Sequence, residues 1–243
     1  MTVTWEELGW ERLADGIGRI RLPGWDCTVG LVAGAGSALL VDAGSSLAEG
    51  AALRADAARL AGFDVTLLAL THPHFDHVLG AAAFPDAEVF AAGGAHAVHD
   101  DERERAELRA DAVRHGLDPR AADAAAAALV RPGREVDDVL AVPLGDGREA
   151  LLVNAGPGHT AHDLAVVVPG ERPVVFCGDL VEESGEPSAG PDAVPSRWPA
   201  ALDRLLELGG PDARYVPGHG AVVDAAFVRA QRDALARRFG VSP

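Results

Sequence analysis

Between residues 72 and 77 the chain reads His72-Pro73-His74-Phe75-Asp76-His77, three imidazoles and a carboxylate within six positions. The apolar stretch 64–70 leads into it and reads as a buried strand, and residues 78–83 read as the start of a helix. A strand-to-helix turn is where an open α/β sheet usually places its chemistry. Along extended backbone, residues two apart face the same way, so His72 and His74 converge on one point, with Pro73 stiffening the link. Asp76 and His77 fall in the following turn and aim elsewhere. The spacing therefore predicts two neighbouring metal ions rather than one. A polar turn is the ordinary explanation of a lone histidine, but it does not account for four donors packed this densely. Imidazole and carboxylate together suit zinc, and less often iron or manganese.

The rest of the chain has room to build a cage around that stretch. It is 243 residues long and 48% hydrophobic, enough for a substantial core. No linker, tandem repeat or low-complexity segment divides it, so a single domain over 1–243 is expected. No apolar run approaches the ~20 residues of a membrane span. The opening residues, Met1 to Glu7, show neither a basic nor an apolar leader region. Cys27 and Cys177 are the only thiols and offer no disulfide framework, so a cytoplasmic protein is expected. The formal charge of -16 disfavours nucleic acid, whose phosphates would be repelled. All 21 basic residues are arginine, which reads as the coding bias of a GC-rich genome.

Short β-like runs at 16–22, 28–32 and 38–42, joined by tight turns, predict an antiparallel start to a sheet. The Gly34/Gly36 pair joins two strands and lacks the helix on which a phosphate would dock, so it reads as a hairpin turn. Residues 47–61 form a helix that Gly62 ends. The stretch 95–130 is charged and Ala-rich, and Asp118-Pro119 opens a helix running to 130. His96, His99 and His115 lie there without a partner motif and read as surface residues. Strands resume at 87–91, 139–142, 150–154, 164–168, 174–177 and before His219, with helices at 197–208 and 224–239. Cys177 falls inside its strand and takes a core position.

Three further donors stand at glycine-flanked strand ends: His159 in Gly156-Pro157-Gly158-His159, Asp179 after Gly178, and His219 between Gly218 and Gly220. Asp42 closes an earlier strand. Singly these are weak signals. In this order, with the complete His-x-His-x-Asp-His motif at 72–77, the chain resembles the metallo-β-lactamase-fold hydrolases from about Gly16 to the C-terminus. The resemblance implies a four-layer αββα sandwich, with a helical insertion at about 93–135. It implies that His72, His74 and His159 hold one metal, that Asp76, His77 and His219 hold a second, and that Asp179 bridges them. By the same resemblance Asp42 supports the metal loop. Two ions about 3.5–4 Å apart lower the pKa of a shared water, which attacks a carbonyl or phosphoryl carbon or phosphorus polarised by one ion. Asp76 is placed to orient that water and move its proton. His162 and Asp163 are expected to back the ligands, and Glu182, Glu183 and Ser184 to line the substrate pocket.

Asp179 and Glu182 stand where many true β-lactamases of this fold carry Cys and Lys, which counts against β-lactams of that type. The chain also lacks the arms and basic surface of RNA-processing members. What remains is a small-molecule ester, thioester, lactone or phosphodiester. Tyr215 belongs to the strand before His219 and is poorly placed as a lactonase pocket tyrosine. Arg237 and Arg238 read as a solvated helix end rather than a glutathione patch. Two other classes stay open: a mononuclear-iron, persulfide-dioxygenase-like oxidoreductase, and a non-enzymatic metal-dependent binding module.

Overall fold

The computed structural model describes residues 3–241. Met1, Thr2, Ser242 and Pro243 lie outside it, and with them the ends of the expected 1–243 span and part of the opening stretch read for a leader. Seven strands form the first sheet, in spatial order β1 to β7: β1 Glu11–Ala14, β2 Ile17–Arg21, β3 Thr28–Ala33, β4 Ala38–Val41, β5 Leu67–Ala69, β6 Glu88–Ala92 and β7 Arg134–Val136. The second sheet holds β8 Val139–Gly145, β9 Arg148–Asn154, β10 Leu164–Val168, β11 Val174–Glu182 and β12 Arg214–His219, in the order β12-β11-β10-β9-β8. The helices are α1 Leu47–Ala61, α2 Phe75–Val78, α3 His96–Asp100, α4 Glu102–Arg114, α5 Pro119–Ala127, α6 Trp198–Gly209 and α7 Ala225–Phe239.

Local chemistry explains the connections. β1 to β4 run antiparallel, and the Gly34 N–H donates to the Ser37 carbonyl at 2.8 Å to close the β3–β4 hairpin. Ser46 caps α1 by accepting from the Glu49 N–H, and α1 then carries the chain back so that β5 runs parallel to β4. β6 and β7 continue in parallel, as β12 does beside β11.

Side chains alternate along the strands and sort into three layers. Leu39, Val41, Ala69 and Phe90 of the first sheet meet Leu152, Val166, Phe176 and Val216 of the second. Leu40, Leu68 and Val89 face the other way, into the layer shared with Leu53 of α1, Leu108 of α4 and Ala122 of α5. Val175 and Tyr215 pack outward with Leu202 and Leu205 of α6 and Val228 of α7. The result is the αββα sandwich. At roughly 1.5–3 kcal/mol per buried large aliphatic side chain, a one-residue slip that exchanged faces would be prohibitive. The register is therefore firm, and it fixes which strand ends meet at the edge.

Several boundaries differ from the sequence expectation. β1 and β7 are additional strands, and residues 134–136 return to the sheet rather than belonging to the helical insertion. Their charged residues hide the pairing: β7 is an edge strand with Arg134 and Glu135 at least partly exposed. The expected helix at 78–83 is replaced by the single turn α2 and a 3-10 turn at Ala81–Ala83. His99 is buried, not superficial, and burial pulls its pKa down to about 4. No helix among the described residues is long and apolar enough to cross a membrane.

Candidate metal centre

One edge of the sandwich collects the ends of β4, β5 and β12, the bulged part of β11, which runs on past the expected end at 177, and the loop between β9 and β10. Asp42 follows β4 directly with φ 65, a left-handed conformation that is uncommon outside glycine. Its buried carboxylate accepts the Thr71 N–H at 2.7 Å, the Thr71 hydroxyl at 2.9 Å and His77 Nδ1–H at 2.8 Å. One carboxylate thus ties the metal loop to the neighbouring strand. His74 is the N-cap residue of α2 with extended backbone, His72 lies in the bend before it, and Asp76 and His77 sit on a helical turn.

The imidazoles share a pattern of protonation. His77 Nδ1 faces Asp42, His159 Nδ1 faces the Ser188 carbonyl at 3.0 Å, and His219 Nδ1 faces the Trp25 carbonyl at 2.8 Å. His72 Nδ1 faces the Thr71 hydroxyl at 3.0 Å, whose own proton is committed to Asp42. Each outer nitrogen meets an acceptor and carries a proton, which turns Nε2 to the interior with its lone pair free whenever the ring is neutral. His74 is reversed: Nε2 donates to Asp192 at 3.0 Å, leaving the lone pair on Nδ1. All five histidines therefore turn their second ring nitrogen to the interior, where a cation could take its lone pair. His74 Nδ1 and His159 Nε2 lie 3.0 Å apart, close enough to share either one proton or one cation.

The inward atoms form overlapping groups. Donor atoms of His72, His74, His159 and Asp179 all lie within 4.8 Å of one another, as do those of His77, Asp179 and His219. Asp76 Oδ2 is 3.5 Å from His77 Nε2 and 3.4 Å from His219 Nε2, so it joins the second group. Asp179 reaches both, with Oδ2 at 3.7 Å from His72 Nε2 and 3.5 Å from His159 Nε2, and at 3.3 Å from His219 Nε2. His72 Nε2 and Asp179 Oδ1 are buried without a hydrogen-bond partner. Orphaned buried atoms of this kind need an explanation, and a cation supplies one. The residues fit metal.

Charge reinforces the point. Burial, and then the nearby His77, hold His72 well below the ordinary imidazole range. Burial takes His159 down to about 4. Both are neutral near neutral pH, as coordination requires, whereas His74, His77 and His219 are raised against the pull of burial by the acidic groups beside them and would release a proton on taking a cation. For Asp179 burial acts upward but is outweighed by the imidazoles around it, His77 first, which keep the carboxyl well below the usual range and therefore anionic.

Two glycines make room around Asp179. Gly178 has φ +53 at a bulge in β11, and a Cβ there would lie 2.8 Å from Thr71 Cβ. A Cβ on Gly218 would fall 1.8 Å from Asp179 Oδ1. Gly218 thus leaves the space into which the Asp179 carboxylate fits, and Gly178 lets the strand pass Thr71.

The other expected positions divide. Asp163 accepts the Thr160 hydroxyl at 2.7 Å and the Thr160 N–H at 3.1 Å, closing the turn after His159, and burial pushes its pKa up to about 7. His162 Nδ1 instead meets the Gly93 carbonyl at 2.9 Å, at the start of the helical insertion. Glu182 closes β11 and Glu183 and Ser184 follow it, beside His219. The Ser184 hydroxyl donates to Glu182 at 2.5 Å, and Glu183 accepts the Ala221 N–H at 2.7 Å. Residues missed by the sequence include Asp192, the partner of His74, and Cys27, whose thiol donates to the Asp76 carbonyl at 3.1 Å and lies 3.7 Å from His77 Nδ1. Neither carries a local motif; only the folded chain brings them to the ligands.

The family model described as the metallo-beta-lactamase superfamily matches residues 22–219. The chain belongs to that superfamily, a family of metal-dependent hydrolases. Among solved structures, a metallo-beta-lactamase from Pontibacter korlensis aligns with a TM-score of 0.72 at 18% identity, over 93% of this chain and 97% of that one. FIM-1 from Pseudomonas aeruginosa, in a mono-zinc form, gives 0.70 at 17% identity over 96% of each chain. An Erythrobacter litoralis metallo-beta-lactamase with beta mercaptoethanol in its active site gives 0.69 at 17% over 94% and 96%. At such identities these neighbours speak for the fold. No curated protein matches the sequence.

Proposed function

We propose that the chain hydrolyses a small-molecule ester, thioester, lactone or phosphodiester with two metal ions, zinc foremost and iron or manganese as the other occupants the donor set admits. The observation that carries this reading is the common orientation of five imidazoles, each with one ring nitrogen on an outer partner and the other turned inward among Asp76 and Asp179. His72, His74 and His159 would hold one ion, Asp76, His77 and His219 the other, and Asp179 would serve both. Bound there, such ions supply Lewis acidity and water of lowered pKa. Asp76 is the carboxylate that orients the attacking water and passes its proton to the leaving group. No side-chain nucleophile is called for. Burial pushes the Cys27 thiol up to about 12 and raises Cys177 further, so neither is a thiolate near neutral pH.

Metal analysis of the purified protein, followed by a panel of thioester, lactone, ester and phosphodiester substrates, tests the reading. About two zinc per chain with turnover of one class supports it. One iron with oxygen consumption would replace it with the dioxygenase-like chemistry, and a zinc-loaded protein inert across the panel would favour a binding module.

A further inference from the structure

His219 is the second group's remote donor, placed on the last residue of β12, and four bonds fasten the turn around it. The Glu183 N–H donates to the His219 carbonyl at 3.1 Å, and the Trp25 carbonyl takes the imidazole's outer proton. The Glu183 carboxylate accepts the Ala221 N–H at 2.7 Å. Arg19, only 3% exposed on β2, donates from Nη1 to the Gly220 carbonyl at 2.8 Å and from Nε to Glu11 at 2.7 Å. A buried guanidinium is costly to desolvate, and here it is bonded to a carboxylate and to the one carbonyl that follows a ligand. Gly220 has φ +98, and a Cβ on it would lie 2.6 Å from Glu183 Oε2, so the turn has a single path.

We propose that Arg19 and Glu183 are positioning residues for the second metal site. They clamp the 219–221 turn from opposite sides and so aim His219 Nε2 at Asp76 and Asp179, 3.4 and 3.3 Å away. Their hydrogen bonds reach none of His72, His74 or His159. The clamp therefore governs one ion and leaves the other alone. This rests on the two-ion reading above.

The test is stepwise zinc titration of the metal-stripped full chain against a chromophoric chelator. Glu183→Ala and Arg19→Met are each expected to weaken one of two equivalents by about 10–100-fold, the usual cost of losing a residue that orients a ligand, and to leave the other at the wild-type affinity. Glu183→Gln keeps an oxygen for the Ala221 N–H and is expected to recover most of the loss, which a general packing role would not predict. Should Arg19→Met fail to fold, the Glu183 pair decides alone. Unchanged titrations, or equal weakening of both equivalents, overturn the proposal. A wild-type chain that takes up a single equivalent overturns the two-ion reading itself, a result distinct from either.

Discussion

The loop after β5 and the turn after β12 deliver donors to the same centre by opposite means. The loop brings four donors in six positions, and one neighbouring carboxylate, Asp42, secures it through Thr71 and His77. The turn brings one donor, and its fasteners Trp25 and Arg19 come from 194 and 201 positions away in the chain. A contiguous motif carries its geometry in its own backbone. A solitary ligand borrows geometry from whatever the fold sets beside it, and should be easier to loosen without unfolding the protein.

The sharpest way to break that contrast is Asp76→Ala, because Asp76 sits in the loop yet faces the turn. Turnover should fall by roughly 10²–10⁴-fold, the range for loss of a proton-transfer group, with the fold retained by circular dichroism. A kcat at the wild-type level would remove Asp76 from the chemistry. Gly218→Ala should come next. Its methyl would displace the shared carboxylate, so both zinc equivalents should weaken together, with a packing cost of about 1–3 kcal/mol. Calorimetry reads this as a melting temperature lower by roughly 2–4 °C per kcal/mol. Selective loss of one equivalent would show that Asp179 is not shared.

Asp42→Asn should weaken zinc by about 10–100-fold, since its NH2 would face either the Thr71 N–H or the Thr71 hydroxyl and His77 Nδ1–H, donor against donor. Unlike the clamp variants it acts through His72 as well as His77, so titration should show both equivalents affected. The mildest change is Asp192→Ala. Its side chain is 45% exposed, so water can replace it at His74 Nε2, and a loss of at most about tenfold in one equivalent is expected.

What the sequence made legible follows the same division. The 72–77 motif, the glycine-flanked His159, Asp179 and His219, and the bounds of α1 could be read because spacing and caps are local. The Gly34 hairpin could be read for the same reason. β1 and β7 could not, because short charged strands carry no alternation. Nor could Asp192, Cys27 or Trp25, which act through tertiary contact alone. Glu183 was visible as a polar residue near Asp179, but its task depends on the path of Ala221, which no local pattern announces.

The centre also stands astride the seam of the sandwich, with Asp42 and residues 72–77 on the first sheet and His159, Asp179 and His219 on the second. A cation held there rivets two halves that otherwise meet through apolar contact. At a hundredfold excess over its dissociation constant it adds about 2.7 kcal/mol against unfolding. Occupancy and tertiary integrity are then one quantity seen twice, and stripped protein should exchange amide hydrogens fastest along this margin, well before its opposite pole.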